Sequence, residues 1–397
     1  MNLKFAGRLA QIRPPATIAV NQKALELRAA GREIISLAFG EPDFDTPPHI
    51  CEAAKQAIDA GETRYPPIAG TRELNAAIRL KLRRDNQLDY SSEQVVVTCG
   101  AKQAIFNLLL ALLNENDEVI VPAPYWVSYP DMVKLAGGQP VILNTYESTD
   151  FKVTPRQLES AVNENTRLII LNSPSNPTGQ VYSAQEYRAL GKVLAEHPRL
   201  LIACDDIYEH IYWGEAPFRT LLNACPELSE RVVVVNGVSK AYAMTGWRVG
   251  FAAGPEELIA TMRVIQGQST SGACSIAQAA AAAALSGPQD CVRDMRTAFK
   301  LRHDYLVVAL NELPGVSCPA AQGAFYALPS FAQVIDSHPD LRDDVDLAGW
   351  LLEHAGVGLV PGTAFGAPGH LRLSFAASLE VLETSIERIG RALGAVS

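Results

Sequence analysis

Long apolar runs, paired cysteines and metal-type histidine spacings are scarce in this sequence of 397 residues. No apolar run reaches the roughly 18 residues that a membrane helix needs, and the first segment, "MNLKFAGRLAQIRPP", lacks the apolar centre of a signal peptide. The seven cysteines are scattered, odd in number and without CxxC spacing, which is typical of reduced thiols in a cytoplasmic protein. The histidines show no HxH or HxxxH spacing, so we expect no metal site.

Positively charged side chains are fewer than negatively charged ones, with 34 lysines and arginines against 43 aspartates and glutamates. The formal net charge is −9, which repels phosphate backbones and anionic lipid, so neither nucleic acid nor a membrane surface is an expected partner. Apolar residues, in contrast, make up 48% of the chain and are enough for a large globular core. Low-complexity linkers and short repeats are lacking, and the length favours two domains.

The middle of the chain alternates short apolar runs with helical segments. "QVVVTCG" precedes "AKQAIFNLLLALLNEND", and "RLIILNSP" precedes "SAQEYRALGKVLAEH". The runs are apolar throughout, as in strands that are covered on both faces, so they predict an α/β large domain at residues 47–290 with a mostly parallel, doubly wound sheet. Residues 1–46 and 291–397 are predicted to form a small α+β domain, with the ligand pocket between the two domains.

Polar or glycine residues follow several predicted strands. Because the carboxyl ends of parallel strands meet at one edge of a sheet, we expect these residues to lie close together. The set comprises Gly100, Ala101, Asn176, Asp205, Tyr208, Lys240 and Arg248. Two neighbours are not included: Asp206 is expected to cap a helix after its strand, and His210 is assigned no role.

The chemistry of this set matches pyridoxal 5′-phosphate (PLP), which combines an aldehyde, a pyridine nitrogen, a phenolic oxygen and a phosphate. Lys240 would bond the aldehyde, and Asp205 would keep the pyridine nitrogen protonated so that the ring accepts electrons. Tyr208 and Asn176 would hydrogen-bond the phenolic oxygen. Arg248 and the backbone N–H groups at the predicted helix N-terminus would hold the phosphate.

The order of the motifs resembles a known family. "GEPDFDTP", "APYWVSYPDMV", "NSPSNPTG", "DDIYEH", "SKAYAMTGWRVG", "GAFYALP" and "LRLSFA" follow one another as in class I PLP-dependent aminotransferases of fold type I. The resemblance spans nearly the whole chain and lies closest to bacterial aspartate and aspartate/prephenate aminotransferases. It implies a ping-pong amino transfer in which Lys240 is also the base that moves the α-proton of the substrate.

The resemblance implies four further site residues. Trp126 matches the aromatic residue that stacks on the pyridine ring, and Arg372 matches the arginine whose planar fork binds the substrate α-carboxylate. Gly40 matches a loop glycine whose backbone lies against the substrate. Tyr65 matches a tyrosine that reaches the cofactor phosphate of the neighbouring subunit, which implies a homodimer with shared active sites.

Substrate preference depends on few positions. The resemblance places Lys102 beside the cofactor, where a lysine is associated with acidic substrates, and Arg13 where members that accept prephenate carry a lysine. We therefore expect amino transfer between aspartate or glutamate and 2-oxoglutarate or oxaloacetate, with prephenate as a further substrate that gives arogenate. In the alternative interpretation, Lys102 is an ordinary residue of a helix N-terminus, and Arg13 makes no substrate contact.

Other functions stay open at this point. The same cofactor set would serve an aminotransferase for aromatic amino acids, alanine or kynurenine, or a PLP-dependent β-lyase. A non-catalytic alternative is the effector-sensing domain of a transcription regulator. That alternative is disfavoured because about 40 residues precede "GEPDF", too few for an added DNA-binding domain, and the net charge is negative.

Overall fold

The computed structural model describes residues 3–12 and 16–394. Its strands, in chain order, are β1 (Ile35–Ser36), β2 (Val95–Thr98), β3 (Glu118–Ala123), β4 (Gln139–Asn144), β5 (Thr166–Asn172), β6 (Leu201–Asp205), β7 (Val232–Gly237), β8 (Gly250–Ala253), β9 (Tyr326–Ala327), β10 (Val357–Gly358), β11 (Val360–Pro361) and β12 (Leu371–Ser374).

The α-helices are α1 (Ala16–Ala29), α2 (Pro48–Asp59), α3 (Arg72–Asn86), α4 (Ala101–Leu112), α5 (Tyr129–Leu135), α6 (Pro155–Ala161), α7 (Ala184–Glu196), α8 (Leu221–Ala224), α9 (Glu256–Gly267), α10 (Ser275–Ser286), α11 (Asp290–Asn311), α12 (Ala332–Ser337), α13 (Asp344–His354) and α14 (Leu379–Gly394). Short 3-10 helices span Gly7–Gln11, Glu147–Thr149, Pro226–Arg231, Thr245–Trp247 and Gly362–Phe365. In the part of the chain that the structure describes, no helix is both long and apolar enough to cross a membrane.

A seven-stranded sheet in the order β2-β8-β7-β6-β5-β3-β4 forms the centre of the molecule. Strand β8 runs antiparallel to both its neighbours, and the other strand pairs are parallel. The inner strands β7 and β8 are buried along their length, and separate clusters of buried apolar side chains pack on the two faces of the sheet. The α/β fold with a mostly parallel, doubly wound sheet is thus confirmed.

The flanking segments build two smaller sheets. Strands β11, β12 and β9 form an antiparallel sheet, and β1 pairs in parallel with β10, which joins the N-terminal and C-terminal segments through the pair Ile35 and Val357. A separate apolar cluster that includes Phe299, Phe325 and Phe375 fills this part. The division of the chain at residues 47 and 290 stays a prediction.

The reversed strand β8 determines which residues share an edge of the central sheet. The chain leaves β2, β3, β5, β6 and β7 at one edge, and it enters β8 at that same edge, as the pairings of Gly250 with Thr98 and with Gly237 show. Residues that follow five of the strands and residues that precede β8 therefore meet there. The small sheets bring Arg372 in β12 to the same place.

Candidate active site

A cavity of about 430 Å³ opens at this edge of the central sheet. Its volume lies within the range of pockets that hold small molecules. Its lining includes ten residues predicted from the sequence, namely Gly40, Ala101, Lys102, Trp126, Asn176, Asp205, Tyr208, Lys240, Arg248 and Arg372.

Lys240 extends from the turn after β7 towards the loop that follows β1. Its Nζ donates a hydrogen bond to the carbonyl oxygen of Gly40 at 2.5 Å, and it lies 5.8 Å from the centre of the Tyr208 ring. Burial lowers the pKa of the Lys240 amine to about 8, and the nearby positive charges of Arg248 and Arg372 act in the same direction. The amine is therefore much closer to losing its proton at neutral pH than an exposed lysine.

Asp205 ends β6 and is buried. Its Oδ2 accepts a hydrogen bond of 2.6 Å from the hydroxyl of Tyr129, the first residue of α5. Burial raises the pKa of Asp205 to about 6, while the Tyr129 hydroxyl and the charge of Lys240 act in the opposite direction. At neutral pH the carboxylate form dominates, so a negative charge is held at the floor of the cavity.

Tyr208 lies in the turn that follows β6, and its hydroxyl is 2.8 Å from the hydroxyl of Tyr326 in β9. Both rings are buried. Burial raises the pKa of the Tyr208 phenol well above its usual value, and the neighbouring Tyr326 adds to this effect. Tyr208 is therefore a neutral hydrogen-bonding group at the cavity wall.

The N-terminus of α4 forms another wall. Gly100 has a φ of +83°, and a Cβ atom at this position would collide with the guanidinium of Arg248. Arg248 lies against Gly100 and donates a hydrogen bond to the carbonyl oxygen of Thr245 at 2.8 Å. The α4 N-terminus carries no side-chain cap, so its backbone N–H groups remain free of one. Its positive dipole end lies beside the Arg248 guanidinium, because that group packs against Gly100. Anion binding is the chemistry that this wall favours.

Arg372 is 2% exposed and makes few of the hydrogen bonds it could make. Its Nη1 donates to Oδ1 of Asn176 at 3.0 Å and its Nη2 to the carbonyl oxygen of Ala38 at 2.6 Å, while its buried Nε has no partner among the described residues. The guanidinium lies between the rings of Tyr326 and Phe365, at 4.6 and 4.8 Å from their centres. A buried guanidinium with donors to spare is suited to bind a carboxylate.

Trp126 and Lys102 also line the cavity. The Lys102 ammonium lies 4.8 Å from the centre of the Trp126 ring, and the same ring makes an edge contact with Tyr129. Desolvation lowers the pKa of Lys102, and the nearby Arg248 contributes to the shift. Lys102 thus presents a second positive charge to the cavity, separate from Arg372.

Tyr65 and Asp206 do not line the cavity. Tyr65 is outside the cavity lining and 95% exposed, and Arg13 lies outside the described residues. The prediction that Asp206 caps a helix was wrong, because the chain turns after β6 and the next α-helix, α8, is capped by Thr220. Asp206 is instead buried, and its Oδ2 has no hydrogen-bond partner among the residues described.

Sequence reasoning missed three residues that organise the site. Tyr129 and Tyr326 were inside motifs quoted for the family resemblance, "APYWVSYPDMV" and "GAFYALP", but nothing singled them out. Asn172, at the end of β5, donates to the backbone oxygen of Asp205 and accepts from the backbone N–H of Asn176, both at 2.7 Å. Its position at a strand end was the signal that could have revealed it.

The family model for class I and II aminotransferases matches residues 32–389 of this chain. The chain belongs to this family. The aspartate/prephenate aminotransferase of Nitrosomonas europaea is 48% identical over 396 residues, which cover 98% of this chain and all of the relative. That of Cereibacter sphaeroides is 51% identical over 389 residues, which cover 97% of each protein.

Solved structures of aminotransferases have the same fold. The aspartate aminotransferase of Rhizobium meliloti superposes with a TM-score of 0.97 at 43% identity and full coverage of both chains. The aspartate aminotransferase of Thermus thermophilus, solved with maleate, gives a TM-score of 0.92 at 42% identity and covers 98% of this chain and all of that one. The aminotransferase activity expected from the motif order is confirmed by this agreement.

Proposed function

We propose that this aminotransferase holds PLP in the cavity and moves an amino group between L-aspartate or L-glutamate and 2-oxoglutarate or oxaloacetate, with prephenate as a further acceptor. The observation that carries the proposal is the grouping, in one cavity, of the Lys240 amine, the Asp205 carboxylate and the Arg372 guanidinium. Bound PLP supplies an aldehyde for the amino group and an aromatic ring that accepts the electron pair of the substrate Cα–H bond.

The donor set fits that cofactor. Lys240 would attach to the aldehyde, Asp205 would hold a proton on the ring nitrogen, and Tyr208 and Asn176 would bond the phenolic oxygen. The missing Cβ at Gly100 leaves space for the Arg248 guanidinium, and this residue pair, with the N–H groups of Ala101 and Lys102, would hold the phosphate. Trp126 would cover the ring face.

Lys240 is also proposed to move the proton. With a pKa of about 8, its Nζ is a stronger candidate base near neutral pH than an ordinary lysine, whose pKa lies near 10.4. The same Nζ would remove the α-proton and deliver it to the former aldehyde carbon of the cofactor, so one group serves as base and then as acid. The Gly40 carbonyl oxygen, at 2.5 Å, is positioned to orient the amine.

Arg372 would bind the α-carboxylate that every substrate carries, because it lines the cavity beside Asn176 and its buried Nε has no hydrogen-bond partner among the described residues. Lys102 would then meet a second, distal carboxylate across the cavity. Two separate cations suit dicarboxylic substrates. The names of the relatives from Nitrosomonas europaea and Cereibacter sphaeroides support the same assignment, including prephenate. The predicted prephenate contact of Arg13 lies outside the described residues.

A homodimer with shared sites is part of the proposal. The side chain of Tyr65 is 95% exposed in the single chain, although a large aromatic residue ordinarily loses most of its exposure. In a dimer Tyr65 would reach the cofactor phosphate of the second subunit. The cytoplasmic location expected from the cysteine pattern stays a prediction.

The first experiment is the visible spectrum of the purified protein, recorded with PLP before and after L-aspartate is added alone. We expect a PLP absorption band that converts to the pyridoxamine form, and prephenate should then reverse the conversion. Lys240→Ala is the control and should bind PLP without converting it. A band that aspartate leaves unchanged, but that phenylalanine, alanine or kynurenine converts, would refute the acidic substrate. Absence of any band would refute the cofactor assignment.

A further inference from the structure

A buried ionic cluster lies behind the cavity, outside its lining. Lys81 in α3 and Glu209, the residue after Tyr208, form an ion pair in which the two side chains are 1% and 3% exposed. Both residues belong to elements that flank the site, but neither is in the cavity. The pair is the most deeply buried ion pair among the residues that the structure describes.

Two asparagines complete the cluster. Asn86 donates to Oε2 of Glu209 at 2.5 Å and accepts a 2.6 Å hydrogen bond from Lys81. Asn236 in β7 donates to Oε1 of Glu209 at 2.7 Å, and its own Oδ1 accepts from the backbone N–H of Gly237 at 2.7 Å. All these side chains are buried. The Glu209 carboxylate is therefore the point at which α3, the turn after β6 and the end of β7 are joined.

Other ionisable groups surround the pair. His210 approaches Glu209 at 3.8 Å and bonds Asp85 at 3.0 Å, and Asp206 is buried close enough to interact electrostatically with Glu209 and Lys81. Burial by itself would raise the pKa of Glu209, but Lys81 and His210 hold it below its usual value. Glu209 is thus a carboxylate, and Lys81 is its principal positive partner.

An ion pair this deep is a poor source of stability. The cost of removing two charges from water offsets most of their attraction, and well-packed apolar residues of similar volume are often as stable. The ionic cluster provides directional contacts between defined atoms, which apolar packing does not. Here the contact between Glu209 and Asn236 links two chain segments of the site. Glu209 is one residue after Tyr208, on the segment that also carries Asp205, and Asn236 is four residues before Lys240.

We propose that Lys81 and Glu209 are positioning residues, which fix the turn after β6 against the end of β7 and so set the placement of Tyr208 relative to the Lys240 amine. The proposal rests on the proposed function of Lys240. It predicts an effect on the proton-transfer step and not on substrate binding, since Arg372 and Lys102 lie on other elements. Misplacement of reacting groups by about 1 Å lowers a rate by about 100-fold.

The test is the double variant Lys81→Met/Glu209→Leu, which removes both charges and leaves no unpaired ion. We expect a folded protein with a lower melting temperature, because the buried amides of Asn86 and Asn236 lose their partners in the cluster. In steady-state assays with aspartate, KM should stay within about 3-fold while kcat falls about 10- to 100-fold. The single-turnover conversion of the PLP band by aspartate should slow by the same factor.

Two controls separate the outcomes. Lys300→Met breaks an exposed ion pair with Asp304 within α11, outside the cavity lining, and should leave kcat unchanged. Asn236→Ala removes one hydrogen bond to Glu209 and leaves the ion pair with Lys81 intact. If the double variant does not fold, this variant replaces it, and kcat should again fall while KM stays unchanged. A folded double variant, or Asn236→Ala, with kcat within twofold of wild type would overturn the proposal. Wild-type protein without the aspartate-dependent spectral change would instead overturn the proposed function of the site.

Discussion

The hydroxyl of Tyr129 is expected to control the ionisation of Asp205. Among the residues described, Tyr129 is the one whose side chain donates a hydrogen bond to the Asp205 carboxylate, at 2.6 Å, and both residues are buried. Tyr129→Phe removes the oxygen and keeps the ring, including its edge contact with Trp126. The substitution therefore tests the hydrogen bond with little change in packing.

The magnitude follows from the contact. A hydrogen bond to an ionised group contributes about 1.5–3 kcal/mol, and one pKa unit corresponds to about 1.36 kcal/mol. Loss of the bond should raise the pKa of Asp205 by about one to two units, from about 6. The carboxylate is the form that would hold the ring proton, so activity should rise with pH through this pKa. In Tyr129→Phe the rise should move to higher pH, and kcat at pH 7 should fall about 2- to 10-fold, because the ionised fraction of Asp205 falls from about 90% to between about 50% and about 10%.

The assay is the pH profile of kcat/KM for aspartate between pH 5.5 and 9, measured for wild type and Tyr129→Phe. Tyr146→Phe is the matched control, because this tyrosine is 61% exposed and lies outside the cavity lining. Equal acid limbs for wild type and Tyr129→Phe, at equal kcat, would show that the hydroxyl does not tune Asp205.

Three further substitutions test the remaining walls of the site. Arg372→Lys keeps the positive charge but loses the planar guanidinium, so kcat/KM for all amino acids should fall about 10- to 100-fold in steady-state assays. A change under threefold would contradict the assigned contact with the substrate carboxylate. Gly100→Ala should weaken PLP binding about tenfold, measured by absorbance titration, because the new methyl group meets Arg248 and the φ of +83° disfavours a side chain. Lys240→Met should stabilise the cofactor-free protein against urea at pH 7. In the folded protein the pKa of Lys240 is about 8, below the usual lysine value, so between these two values the unfolded chain binds more protons than the folded one. The wild-type free energy of unfolding should therefore rise with pH, and the gain in stability from Met should shrink from pH 8 to pH 10. A gain that is the same at both pH values would show that the amine is not destabilised by burial.

The sequence was sufficient to predict the sheet and most of the cavity lining for one physical reason. Parallel strands that are apolar on both faces place the residues after them at a common edge, so the apolar pattern alone predicts that Asp205 and Lys240 lie together. The direction of a strand is not encoded in its apolar pattern, however. The reversal of β8, which brings Arg248 to the same edge from the opposite chain direction, could not be predicted in this way.

Partnerships between distant residues were also beyond the sequence. Tyr129 bonds a residue 76 positions away and Tyr208 bonds one 118 positions away, and no local periodicity predicts such pairs. The error at Asp206 has a local cause. An acid after a strand predicts a helix cap only if a helix follows, and here the chain makes a turn that carries Tyr208 and Glu209 instead.

The antiparallel pairing of β7 and β8 has a consequence for how the protein folds. Lys240 and Arg248 both lie in the short connection between these two strands, so they come together through contacts that are local in sequence. Gly100, in contrast, arrives with β2 from more than 130 residues earlier in the chain, and closing such a long loop is slow. The proposed PLP site therefore depends on the least local pairing of the central sheet, and the absorption band of bound PLP is expected to report that this pairing has formed.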